Sequence, residues 1–293
     1  MKKLAGVFLI LVGLLIIAGT LFSTVIEWKP APQDGAGQAV TESELGNTDR
    51  IEVNFSSADI NIETHNKDTV EVVSLSNSSE DEPVVSQNGS TILIEQKRNH
   101  WWPDFSFVLF QKREWTVKIP EDFQKEISLY GSSGDVSVAG PLNLGVFAAD
   151  LSSGNVEVDE VKAKELSISL TSGDLMIQDS EAEHASLETT SGDMEVLTFS
   201  GAMEAVLTSG DFEAEWEEMS GRIDIEVTSG DVEIITGGAD LELDVEVSSG
   251  DIENDIPLDS LTSQEERSLR GTKGEGDIPL TIRTTSGDVE LKE

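Results

Sequence analysis

The chain has 293 residues, with 57 acidic side chains against 19 basic ones, a formal charge of −38 and no cysteine. That balance excludes nucleic-acid binding through a basic face and disfavours docking flat on an anionic lipid surface. Without cysteine there is no disulfide framework, no thiol nucleophile and no lipid-modified cysteine, which fits an exported bacterial protein.

Met1-Lys2-Lys3 precedes an uncharged apolar run from Leu4 to Ile26. About 20 such residues in a helix cross a hydrocarbon layer of about 30 Å. The run is longer than the apolar core of a signal peptide, so an uncleaved anchor is the expectation within residues 1–28. A removed signal peptide, with Ala18-Gly19-Thr20 as a weak cleavage site, is the alternative. Lys2 and Lys3 would hold the N-terminus in the cytoplasm. Residues 4–26 would then sit in the cytoplasmic membrane as a single pass, and the rest of the chain would lie outside. Residues 29–48 are rich in Pro, Gly, Ala, Gln and acid and read as a flexible linker. Its root-mean-square span would be about 25 Å.

Residues 49–293 read as one extracytoplasmic domain. Ile51, Val53 and Phe55 alternate into Ser56-Ser57-Ala58-Asp59, and Ile60 and Ile62 follow. Val70, Val72, Ile92 and Ile94 suggest further strands, with a loop at Asn77–Glu82. Then comes Lys97–Trp115, the one basic and aromatic segment of this acidic chain, containing Trp101, Trp102, Phe105, Phe107, Lys112 and Arg113. Tryptophan beside Lys and Arg suits a membrane interface, a partner protein or a wall polymer. Alternatively, Phe105, Phe107 and Leu109 close the open start of the fold, with tryptophan packed over it.

Beyond residue 130 a three-residue unit recurs: Ser133-Gly134-Asp135, Ser172-Gly173-Asp174, Ser191-Gly192-Asp193, Ser209-Gly210-Asp211, Ser229-Gly230-Asp231, Ser249-Gly250-Asp251 and Ser286-Gly287-Asp288, with Asn in the copy at Ser153-Gly154-Asn155. From Gly134 to Gly250 the glycines fall 18 to 20 residues apart. Such a period marks a solenoid. Apolar residues sit two, four and six positions before each Ser, as at Leu166, Ile168 and Leu170, and three and five after it, as at Leu175 and Ile177. Period two means a strand with one apolar face; the odd offset across Gly-Asp demands a bend there. The predicted fold is therefore all-β: a β-solenoid, β-helix-like, of coils about 18–20 residues long, preceded by one transmembrane helix. A β-sandwich would also alternate, but it does not repeat a corner at near-constant pitch.

Two interior ladders follow. One is Ile127, Phe147, Leu166, Ala185, Met203, Ile223, Leu243 and Leu280; the other is Leu129, Ala149, Ile168, Leu187, Ala205, Ile225, Val245 and Ile282. The pitch breaks between Pro257 and Lys273, and the chain ends five residues after Asp288, leaving an expected open edge. Asp174, Asp193, Asp211, Asp231 and Asp251 should line one flank about 5 Å apart. They could share Ca²⁺ between successive carboxylates, or each could accept amides at its own bend. Asn155 supports the turn role, since it adds no charge. No other cofactor is expected. His65, His100 and His184 are scattered and no phosphate-binding glycine loop opens a helix, so no catalytic residue is expected and the chain does not read as an enzyme.

The repeating (Thr/Ser)-Ser-Gly-Asp-apolar-x-apolar unit resembles the bacterial putative-adhesin repeat domains of unknown function, over about residues 49–293. With its basic start and single anchor, the whole chain looks like the membrane-anchored member of that family encoded with a Gram-positive envelope-stress response system. The resemblance implies surface interaction and supplies no catalytic or ligand residues. The expected function is a non-enzymatic envelope scaffold for adhesion or stress response, meeting an envelope protein or wall polymer. The alternatives are a Ca²⁺-dependent wall or matrix binder and, less favoured, a polysaccharide-degrading β-helix enzyme.

Overall fold

In a computed structural model, residues 38–75, 82–96 and 113–293 are described, within a unit that spans Gly37–Glu293. The predicted anchor at 4–26 and the loop at Asn77–Glu82, except its last residue, lie outside the described residues. Among the described residues the regular structure is entirely β, with 23 strands in one continuously hydrogen-bonded sheet.

Successive coils stack as parallel strands in register, so like residues pile up. The first interior column runs Ile92, Ile51, Ile127, Phe147, Leu166, Ala185, Met203, Ile223, Leu280, Leu243. Every member is buried. A second column, past the corner, runs Trp115, Ile60, Val136, Val156, Leu175, Met194, Phe212, Val232, Val289, Ile252. Each coil thus removes several aliphatic side chains from water at about 25 cal/mol per Å² of apolar area. On the return side Phe199 meets Trp216 edge to face, with centroids 6.5 Å apart and planes at 81°.

Two expectations need correction. First, the last coil does not end the stack. Strands Ile278–Ser286 and Val289–Lys292 slot between the coil of Ile223 and the coil of Leu243, so Leu280 precedes Leu243 in the column. Both edges of the final coil are paired, and the expected open C-terminal edge is absent there. The polar excursion supplies the cover instead: Ser260–Glu265 and Ser268–Thr272 form a hairpin lying antiparallel on Leu241–Val247. A hairpin needs only a tight turn, which makes it a short way to finish a parallel stack.

Second, the predicted linker contains a strand. Gln38–Glu44 pairs antiparallel with Thr69–Leu75, which pairs with Glu114–Pro120. Val40 on it is exposed, so backbone bonding and not an apolar face holds this strand. Trp115, which ends the basic aromatic segment, lies in the core, fully buried beside Ile60.

Candidate interaction site at the corner ladder

The Ser-Gly-Asp corners stack directly on one another. Their glycines have φ between 122° and 149°. A Cβ on any of them would lie 1.8–2.1 Å from the carbonyl oxygen of the equivalent residue one coil away. Only glycine fits such an approach in such a conformation. Close contact lets the amides of Gly154, Gly173, Gly192, Gly210, Gly230 and Gly287 donate to a serine carbonyl of the neighbouring coil, for example Gly173 to Ser191 at 2.9 Å and Gly210 to Ser229 at 3.1 Å.

The aspartates are bound into the same stack. Oδ1 of Asp59 accepts the amide of Asp135, and the relay continues through Asn155, Asp174, Asp193, Asp211, Asp231, Asp288 and Asp251 at 2.8–3.2 Å. The expected bond to each residue's own bend is therefore replaced by a bond between coils. Asn155 substitutes without loss, because its amide oxygen accepts from Asp174 as a carboxylate would. An acceptor that is ionised strengthens such a bond, which offsets part of the like-charge repulsion along the row.

This geometry bears on calcium. Asp174, Asp193, Asp211, Asp231 and Asp251 stand in a row, one carboxylate per coil, each of the first four with Oδ1 engaged by an amide. Ca²⁺ takes 6–8 oxygens at about 2.3–2.6 Å. Among the described residues no three or more acidic or histidine side chains come together so as to hold a metal ion.

Two residues past the aspartates runs a second acidic row, Glu195, Glu213, Glu233, Glu290 and Glu253. Partial burial lifts the Glu213 carboxyl above its ordinary value, and the charges of Glu195 and Glu233 add to this, while Lys292 opposes it. Lys292 Nζ bonds Glu233 at 2.6 Å and lies 3.0 Å from Glu290. Stacked like charges are relieved here by a single cation.

The ladder begins at Ser56-Ser57-Ala58-Asp59, where the aromatic segment is rooted. Gln96, ending strand Thr91–Gln96, accepts the amides of Ser56 and Ser57 through Oε1 at 2.7 and 3.1 Å. Arg113, just before strand Glu114–Pro120, donates from Nη1 to Ser57 Oγ at 2.8 Å, and its carbonyl accepts the Asp59 amide at 2.8 Å. Gln96 and Arg113 thus stand beside the corner at Ser56-Ser57, and residues 97–112 between them lie outside the described residues. Of the partner-binding candidates, Arg113 is placed at that root, whereas Trp101, Trp102, Phe105, Phe107 and Lys112 lie outside the described residues. Sequence reasoning did not single out Gln96, and nothing in its local pattern marks it. Asp59, Asp135 and Asp288 belong to the row as well, and the repeated corner itself was the signal for them.

The Toastrack DUF4097 family model matches residues 48–292. Among solved structures, a putative adhesin from Bacteroides fragilis is similar at 16% identity and a TM-score of 0.54, over 89% of this chain and 100% of its own. A putative adhesin from Parabacteroides distasonis has 12% identity and a TM-score of 0.44, over 87% of this chain and 97% of its own. A putative lipid binding protein from the same species has 16% identity and a TM-score of 0.45, again over 87% and 97%. At these identities the first likeness speaks for the fold alone. No curated protein matches the chain.

Proposed function

Because the chain belongs to the Toastrack DUF4097 family over residues 48–292, we propose that it is a non-enzymatic interaction and scaffold protein of the bacterial cell envelope. In this reading residues 4–26 anchor it in the cytoplasmic membrane, Lys2 and Lys3 stay inside, and the β-domain stands outside, in adhesion or an envelope-stress response. One observation supports the interaction role above others. The repeated Ser-Gly-Asp residues are spent on bonds between coils, and the Trp-rich stretch of the sequence joins Gln96 to Arg113, both of which bond the corner at Ser56 and Ser57. A rigid stack of coils presenting one aromatic, basic segment suits a partner protein or wall polymer. Calcium has no part in this proposal; the aspartates serve the stack.

Cross-linking on intact cells tests it. The double variant Trp101→Ala/Trp102→Ala should lose at least one partner that the unaltered chain captures, and retention of every partner refutes the role of the segment. Protease added outside the cells should digest the β-domain; full protection refutes its extracytoplasmic placement. Release of soluble product from wall polymer by the purified chain would refute the non-enzymatic reading.

A further inference from the structure

Strands Ile278–Ser286 and Val289–Lys292 fill a slot whose two walls come earlier in the chain, residues 223–235 on one side and 241–254 on the other. Both walls depend on the inserted pair. The amides of Gly230 and Val232 donate to the carbonyls of Ser286 and Asp288 at 3.0 and 2.9 Å, and on the far side Ser248 donates to Thr284 at 2.8 Å. In return the amides of Gly287 and Val289 donate to the carbonyls of Ser249 and Asp251, both at 3.0 Å. The aspartate relay also crosses the slot, from Asp231 through Asp288 to Asp251. Leu280, Ile282, Val289 and Leu291 are fully buried within it.

The walls fit this pair better than they fit each other. Arg283 stands between Glu226 and Glu246, and Thr281 between Asp224 and Asp244. Closing the slot without the pair would set those acids directly opposite one another, which is destabilising on neighbouring strands. Arg222 and Arg270 offset part of that charge; Arg283 is the cation that comes with the strand itself. A second copy of this chain carries the same segment. Before the slot, Lys273 is pinned to Leu241 by two backbone bonds of 2.9 Å. Gly274–Asp277 then turns the chain inward, with Gly274 at φ 60° and Gly276 at φ 72°. Drawn straight, those four residues reach about 14 Å, so two copies that shared strands would lie side by side. We propose that the strand pair of residues 278–292 exchanges between two copies of this chain, each pair filling the other copy's slot, with Gly274–Asp277 as the opened hinge. Every bond across the slot is made between chains as it is within one, so exchange gives up no slot contact. It costs the entropy of joining two chains, which concentration offsets. A short hinge invites such exchange.

The chain has no cysteine, so introduced thiols report without background. Ser229 and Ser286 are exposed and in register across the slot, at a spacing that a disulfide spans. Full-length Ser229→Cys and Ser286→Cys chains are mixed, unfolded, refolded together in micelles and oxidised. A disulfide joining position 229 of one chain to 286 of the other is expected by peptide mass mapping. The dimer-to-monomer ratio should rise about tenfold for each decade of chain concentration at refolding. The control is Ser229→Cys/Ser286→Cys in one chain, which closes the same bond internally. If that control closes and the mixed chains fold but do not join, exchange is refuted. Chance contact would give as many 229–229 dimers as 229–286 dimers, and that result, or a ratio indifferent to concentration, also refutes it. A second variant needs no thiol: lacking Gly274–Gly276, the pair cannot turn back into its own slot. Sedimentation in density-matched micelles should then show dimers alone, and a folded monomer overturns the exchange. Neither result bears on what Trp101 and Trp102 contact, so the two ideas fail separately.

Discussion

Gly192→Ala puts the corner stack to its most direct test. Gly192 has φ 135°, and a methyl there would lie 2.0 Å from the Gly173 carbonyl oxygen, 2.6 Å from its carbon and 3.0 Å from Asp174 Oδ1. No rotation relieves a Cβ contact with backbone, so the coil must lift away or the corner must change conformation. Holding a non-glycine residue in such a backbone region costs about 1–3 kcal/mol. Opening the corner also weakens two bonds between coils, Gly192 amide to Ser209 at 3.1 Å and Asp193 amide to Asp174 at 3.0 Å. Each is worth about 0.5–1.5 kcal/mol. The expected loss is about 2–6 kcal/mol, which is large against a total of about 5–15 kcal/mol for a typical protein. Gly46→Ala is the control: φ is also positive, at 51°, but no atom lies within 4 Å of the added methyl. It should cost about 1 kcal/mol. Urea unfolding followed by the fluorescence of buried tryptophan reads both. If the Gly192 variant unfolds at the same urea concentration as the Gly46 variant, direct stacking of the corners is wrong.

Asp193→Ala removes the acceptor of the Asp211 amide and should cost about 1–2 kcal/mol, whereas Asp193→Asn should be close to neutral, as Asn155 is in its own coil; equal losses in the same urea assay refute the relay. Thr198 is β-branched, exposed and at φ 52°, so Thr198→Asn should raise stability by about 1 kcal/mol in thermal melts, and a lower melting temperature counts against backbone strain at this residue. Two acids give opposite pH responses. Glu213 is raised in the fold, so its contribution is fullest below its ordinary 4.5 and is lost as pH rises through the folded value; Glu213→Gln should stabilise the chain at pH 7 and flatten the gain on acidification. Asp224 is lowered, chiefly by its bond from Arg222, so its contribution stands above its ordinary 3.8 and is lost as pH falls through the folded value; Asp224→Asn should flatten the melting-temperature profile below that point. Finally, millimolar Ca²⁺ or a chelator should leave the melting temperature unchanged, and a rise with calcium would return the aspartate row to a metal-binding role.

Much of this architecture is legible in the residues because a solenoid writes its geometry locally. Period-two alternation states which side chains face in, a glycine every 18–20 residues states where the chain bends, and both ladder memberships follow by counting. What counting cannot supply is the order of the coils. Gly230 and Gly250 are 20 residues apart, like their predecessors, yet the second of these coils skips a slot that the last strands fill, placing Leu280 between Ile223 and Leu243. The strand Gln38–Glu44 was hidden for a related reason: its exposed Val40 shows that backbone pairing, not a buried stripe, holds it.

The sequence by itself determined the all-β coil, its inward faces and the corner at which consecutive turns touch, since these depend on chirality, alternation and the room a missing Cβ leaves. Only the tertiary structure decided which coil neighbours which, that the aspartates bond between coils and not at their own bends, and that Glu95, Asn54, Tyr130 and Asp150 stand in one row across four strands. Those relations join residues 18 to 76 positions apart, and edge pairing between distant strands has no local signature.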